Sequence, residues 1–132
     1  MNFFTIFLSS LVVFSMIGCS ATPEDAVHNV YDGLKEGNVV KVVNNSSEKL
    51  SGALLVNALN NCSADKKSYP DELELMHDCL VEKYQDIKVK KIKVTMLSEV
   101  EADANITVEI NLKDHSRTQK IRVIDSKWKL DI

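Results

Sequence analysis

The chain has 132 residues, 45% of them hydrophobic and 27% charged, with 16 basic against 19 acidic side chains and a formal net charge of −3. Such a near-balance argues against a nucleic-acid binder, and the length suits one domain with its own core. The charge is unevenly spread: Cys19 to Gln85 carries six basic and eleven acidic residues, while Asp86 to Ile132 carries ten and eight.

The first 18 residues hold no charged side chain, and Phe3 to Ile17 is a nearly unbroken apolar run closing on Met16-Ile17-Gly18-Cys19. A secretory signal has an apolar core of about 7–15 residues followed by a small-residue cleavage site. A membrane-spanning helix needs about 20. The four residues resemble the lipobox of bacterial lipoproteins, in which the signal is removed and the cysteine becomes the acylated N-terminus. The resemblance implies a signal peptide over residues 1–18, a lipidated N-terminus and short linker over 19–22, and one domain over 23–132. Acyl chains on Cys19, palmitate among them, would then hold the domain to a membrane, since two lipid signals anchor stably where one binds reversibly. Ser20, where a retained inner-membrane lipoprotein tends to have Asp, favours the periplasmic face of the outer membrane. The alternative is an ordinary signal peptide with Cys19 as a bystander thiol.

With Cys19 given to lipid, Cys62 and Cys79 remain as an even pair in an oxidising compartment, which favours a disulfide. Closing a loop of that length stabilises by about 3 kcal/mol in the chain-entropy model. The other reading is two unrelated buried thiols. Two sulfurs with no matched His pair do not make a zinc site, so no metal and no cofactor is expected.

Thr22-Pro23-Glu24-Asp25 predicts a helix start, with a capping hydroxyl, a proline suited to the first position and two acids at the positive end of the dipole. Val27, Val30, Tyr31 and Leu34 form one buried stripe, and Gly37 ends the helix. Asn38 caps a short helix holding Val39, Val40, Val42 and Val43, broken by Asn44-Asn45-Ser46-Ser47. Leu50, Leu54 and Ala58, with Leu55 and Leu59, mark a third helix, and Ser63 to Ser68 is a charged loop. Pro70-Asp71-Glu72 opens a fourth helix in the manner of the first, with the stripe Leu73, Met76, Leu80 and Tyr84 and with Val81 beside it.

After Gln85 the apolar period drops from 3.6 to 2. Ile87 and Val89 alternate with lysines, then Ile92, Val94 and Met96 resume one residue out of step, the sequence form of a β-bulge. Ala104, Ile106, Val108, Ile110 and Leu112 predict a second strand, and Asp114-His115-Ser116 a turn. Ile121 and Val123 belong to a third strand, Asp125-Ser126 to a tight turn, and Trp128, Leu130 and Ile132 to a fourth. Helices followed by an antiparallel meander give an α+β fold, with N-terminal helices on a four-stranded antiparallel sheet.

A helix opening Pro23-Glu24-Asp25-Ala26-Val27 and running through Tyr31 and Leu34 to Lys35-Glu36-Gly37-Asn38, with a closing strand Lys127-Trp128-Lys129-Leu130-Asp131-Ile132, resembles small bacterial lipoproteins with a nuclear-transport-factor-like, cystatin-like domain. The resemblance implies a curved sheet wrapped on a long helix, forming a cone with a pocket. Many members have no known activity, and fold does not decide function.

Within such a cone the inward positions Ile106, Val108 and Ile110 predict an apolar sheet wall. Tyr31, His77 and Tyr84 are the candidate pocket residues; the bland reading makes the tyrosines core residues with a hydrogen-bonded tip and His77 structural. Lys88, Lys90 and Lys93 form a candidate anion-seeking patch for lipid head groups or an acidic protein. Its bland reading is a solvated face whose lysines block edge pairing. No Gly-rich phosphate loop or nucleophile elbow occurs, so no catalytic residue is expected. The reading favoured is a non-enzymatic, membrane-tethered module for an unknown protein or a small apolar ligand. Its rivals are an immunity-type inhibitor and, less favoured, a small hydrolase or isomerase using His77 with Tyr31 or Tyr84.

Overall fold

The computed structural model describes residues 22–132. The signal segment and Cys19 lie outside the described residues. Four α-helices, α1 (Pro23–Glu36), α2 (Val39–Asn44), α3 (Glu48–Asn60) and α4 (Glu72–Tyr84), precede four strands, β1 (Lys88–Met96), β2 (Glu101–Ile110), β3 (Lys113–Ile124) and β4 (Lys127–Asp131). The strands form one antiparallel sheet in the order β1-β2-β3-β4. The fold is α+β, with helices packed on one face of a four-stranded meander.

Helix α1 starts as its sequence dictates. Thr22 Oγ1 accepts from the Asp25 amide at 3.1 Å, and Pro23 sits in the first turn, where its missing N–H costs nothing. Its C-terminus is a Schellman motif: the Asn38 amide donates to Gly33 (2.8 Å) and the Gly37 amide to Leu34 (3.3 Å), with Gly37 at φ 72°. Only glycine fits here for a second reason. A Cβ on Gly37 would stand 2.5 Å from His77 Nδ1 and 2.7 Å from the His77 carbonyl oxygen, so α4 packs directly on this bend. Asn38 then caps α2 by accepting from the Lys41 amide.

Val27, Val30, Tyr31 and Leu34 are buried as the stripe requires, and α1 touches α2, α4 and all four strands. At about 1.5–3 kcal/mol for each fully buried aliphatic side chain, this seam is the main apolar contribution to the fold. In α2 only Val42 is buried; Val40 and Val43 face solvent. The Asn44–Ser47 break has a further role. Ser47 caps α3 through the Leu50 amide, while the Ser47 amide donates to Leu130 and the Leu130 amide donates to Asn45. Residues 45–47 thus cover the outer edge of β4.

Helix α4 differs from the first in detail. Its cap is Asp71, which accepts from the Leu73 amide, so Pro70 precedes the cap instead of following it. Leu73 is 58% exposed and does not belong to the stripe; Cys79 and Leu80 are its buried centre. Cys79 is there because it is bonded to Cys62, with the two Cα atoms 5.2 Å apart, tying the end of α3 to the middle of α4. The preceding loop contains a short 3-10 turn, Lys66–Ser68, capped by Asp65.

In the sheet, the register shift falls between Val89 and Lys91, where the sequence breaks phase. Val89 and Ile92 therefore stand opposite Val108 and Ile106 on the same inner face. The turn expected at Asp114-His115-Ser116 lies elsewhere. Strand β2 stops at Ile110, Asn111-Leu112 turns the chain with φ 52° and 66°, and residues 114–116 are paired strand in β3. Leu112 is 91% exposed and Ile110 lies at the surface, so neither extends the inner face. A two-residue turn matches the sheet twist, which outweighs the poor fit of leucine to left-handed backbone. The second tight turn, Asp125-Ser126, has the same form at the expected place.

Leucine in that conformation is strained by about 1–2 kcal/mol, and at Leu112 the side chain packs on nothing that would offset it. Leu112→Gly is therefore expected to stabilise the domain by about 0.5–1 kcal/mol after the entropy gained by the unfolded chain is counted. Chemical denaturation of the two forms checks this, and a destabilised variant would mean that the leucine is held by a contact.

Candidate functional site

Cross-strand partners in an antiparallel pair share a face, so the register shows what lines the inner wall. Strand β2 presents Ala102, Ala104, Ile106 and Val108, all buried. Their β3 partners are Ile121, Gln119, Arg117 and His115. The wall expected to be wholly apolar is apolar on β2 and polar on the near half of β3. His115 is not a turn residue but an inward-facing strand residue opposite Val108.

This polar half is open because the helices do not reach it. A 14-residue helix such as α1 is about 21 Å long, whereas the 12 residues of β3 extend about 40 Å. Strand β4 pairs only with Lys120 to Ile124. Residues 111–118 are consequently exposed throughout, and Gln119 is the first buried residue of β3.

Two of the three candidate pocket residues lie within electrostatic reach of Arg117. Tyr31 on α1 has a buried ring, and Tyr84 at the end of α4 is half-buried. Burial pushes both hydroxyls above the ordinary tyrosine pKa, the neighbouring Tyr31 adds to the rise at Tyr84, and the positive charge of Arg117 partly offsets it at both. The three groups form one electrostatic cluster. At neutral pH it offers two un-ionised hydroxyls, each able to donate, beside a permanent guanidinium cation. Among the described residues no carboxylate pairs with Arg117. It lines a cleft of about 320 Å³ together with Leu50, Gln119, Lys120, Ile132 and two carboxylates, Asp103 and Asp131, the latter bonded to Arg122. Tyr84 lines a second cleft of about 330 Å³, against Ile87, Ile110 and Asn111.

His77 is not brought to this cluster. It lies seven residues before Tyr84, two helical turns or about 10 Å along α4. Its Nδ1 is 3.1 Å from the Gly37 carbonyl oxygen, and its ring, 52% exposed, has Nε2 4.0 Å from Asp78. A pocket containing His77 with Tyr31 or Tyr84 is not formed; the histidine secures the bend between α1 and α2 to α4.

The three patch lysines differ in their surroundings. Lys88 stands opposite Glu109 and Lys93 opposite Asn105. Lys90, at the bulge, reaches Asp114 at 3.3 Å and Glu109 at 3.5 Å. On the same outer face Arg122 bonds Asp131 at 3.1 Å. Of the three lysines expected to act as an anion-seeking patch, Lys90 is ion-paired, while Lys88 and Lys93 carry no ion pair among the described residues. Among the described residues no group of His, Cys, Asp and Glu is arranged to hold a metal ion, and no helix is long and apolar enough to cross a membrane.

Arg117 and His115 escaped sequence reading because the apolar signal of β3 begins only at Ile121. Counting back by two from Ile121 passes through Gln119, Arg117 and His115, which is the signal that finds them.

Neither a family model nor a curated protein matches the chain. Among solved structures it is similar to an NTF2-like protein of Campylobacter jejuni provisionally described as a transpeptidase, with 15% identity and a TM-score of 0.46 over 85% of this chain and 99% of that one. So distant a likeness carries no statement about function.

The raised tyrosine pKa values set the alkaline limb of stability. A tyrosine whose folded pKa exceeds its unfolded value of about 10 is neutral to stability below that pH and destabilises the fold progressively as pH rises through the folded value. Stability is expected to fall above about pH 10, and Tyr31→Phe to flatten the fall. Denaturation across pH 8–12, with phenolate absorbance as the monitor, checks it; an unchanged slope in the variant would place the titration elsewhere.

Proposed function

We propose that the protein is a lipid-anchored periplasmic binding module whose concave face receives a ligand bearing an anionic group, without chemical turnover. What supports the ligand class is the unpaired guanidinium of Arg117, lining a cleft on the stretch of β3 that helices and β4 leave uncovered and within electrostatic reach of the Tyr31 and Tyr84 hydroxyls. A carboxylate there would accept a charge-assisted pair of hydrogen bonds from the guanidinium fork and a further one from a tyrosine. Leu50 and Ile132 line the same cleft, so the ligand is amphipathic, with an acidic group held beside hydrocarbon. What supports the anchor is the sequence ending at Cys19, three residues before the Thr22 cap, a span of about 10 Å. The domain would then stand directly on the bilayer.

A hydrolase or isomerase reading needs a base, and the histidine offered for it is engaged two turns away with Gly37. His115, the inward-facing histidine nearest Arg117, has no carboxylate to orient it among the described residues, whereas a fixed cation and neutral donors suit holding an anion. Palmitate on Cys19 and placement on the periplasmic face of the outer membrane complete the proposal.

Two measurements test it. Mass spectrometry of the native N-terminus is expected to find an acylated Cys19, and a bare or internal Cys19 would remove the anchor. Titration with N-acetylglutamate, followed by tyrosine and Trp128 fluorescence, is expected to show saturable binding. Arg117→Gln should weaken it by about tenfold or more, since a hydrogen bond to a charged group is worth about 1.5–3 kcal/mol. Equal binding by the variant would move the site away from β3.

A further inference from the structure

The open stretch of β3 has a backbone as well as a face. The two-residue turn at Asn111-Leu112 closes on the pair Ile110 and Lys113, so the odd residues of β3 exchange hydrogen bonds with β2. The two-residue turn at Asp125-Ser126 closes on Ile124 and Lys127, so the even residues bond to β4. Both turns thus assign the same parity. Strand β4 pairs with β3 as far as Lys120 and Asp131. Beyond it the N–H and C=O groups of Asp114, Ser116 and Thr118 point along the sheet with no strand beside them among the described residues.

The other strand edges are closed. Residues 45–47 cover β4. The edge strand β1 is bulged and carries lysines, the usual devices against pairing.

We propose that an extended acidic peptide adds to this run of β3 as a strand in line with β4, placing a carboxylate side chain opposite Arg117. The proposal rests on the anion-binding reading of Arg117 and names the class of partner. Three observations favour this occupant. Lys113, Arg117 and Lys120 give the run a positive balance, and its one acid, Asp114, is already paired with Lys90. Arg117, an odd residue, is on the new side a non-hydrogen-bonded position, where facing side chains approach most closely. The side chain opposite it would look onto the concave face, toward the tyrosines. A second copy of the chain fits poorly: pairing β3 with β3 lays one basic strand against another, and like charges directly opposite are destabilising. Main-chain bonds would supply the affinity and the Arg117 contact the selectivity, as in other strand additions.

The test uses the full chain in detergent and a labelled six-residue peptide alternating valine and threonine around a central glutamate. Fluorescence anisotropy is expected to show saturable binding. Methylation of the peptide amides that face β3 should weaken it by about tenfold or more, as should a central lysine. Ser116→Pro, which removes an edge-facing N–H but leaves the β2 ladder intact, should abolish binding with little change in the thermal transition. Equal binding of the methylated peptide overturns strand addition whatever the proline variant does. If N-acetylglutamate binds and the peptide does not, strand addition fails and the anion site stands; if neither binds, both fail. Sedimentation showing a dimer that Ser116→Pro dissociates assigns the edge to a second copy and likewise overturns the proposal.

Discussion

The structure depends on one seam, the burial of Val27, Val30, Tyr31 and Leu34 of α1 against the inner face of the sheet. Everything else fixes the ends of that seam. The Thr22 cap and Pro23 start the helix, and the Gly37 bend stops it where α4 can pack. The Cys62–Cys79 bond then ties α3 to the middle of α4, so that the helical layer cannot spread. The same seam sets the limit of the core. A helix rises 1.5 Å per residue and a strand more than 3 Å, so a helix of similar residue count covers only about half of β3.

That mismatch produces the candidate site. Where the helices stop, the inner face of the sheet changes from Ile121 to Gln119, Arg117 and His115, and Tyr31 of the α1 core carries a hydroxyl within electrostatic reach of Arg117. The rim carries a fixed positive charge that no carboxylate pairs with among the described residues, although Asp103 and Asp131 line the same cleft. On the outer face the opposite holds. There lysines and arginines alternate with Glu109, Asp114 and Asp131 across neighbouring strands, and several are ion-paired. Counting basic residues in this half of the chain therefore does not locate the site: Lys90 and Arg122 on the outer face are ion-paired, while Arg117 on the other face has no acidic partner among the described residues.

Much of this was legible beforehand, and the pattern of successes is physical. Helix caps at Thr22 and Asn38, the stop at Gly37 and the tight turn at Asp125-Ser126 involve residues within a few positions of each other, so local sequence carries them. The bulge near Lys90 was legible for the same reason, as a phase slip between two apolar runs. The turn after β2 was misplaced because Leu112 continues the apolar alternation and hides a left-handed turn behind it. The structural reading of His77 holds, yet helical spacing says nothing about which neighbour its side chain meets. Here that neighbour is a carbonyl forty residues away in the chain.

By itself the sequence determined the class of fold, the order and type of its elements and the pairing of two cysteines, since hydrophobic period, caps and cysteine count are properties of the chain read locally. Tertiary structure alone decided that Arg117 stands within electrostatic reach of Tyr31 and Tyr84, that Lys90 meets Glu109 and Asp114, and that half of β3 is left with an open edge. Those outcomes follow from strand register and from how far a helix reaches across a sheet. Both are relations between segments distant in sequence, and neither leaves a mark in any one of them.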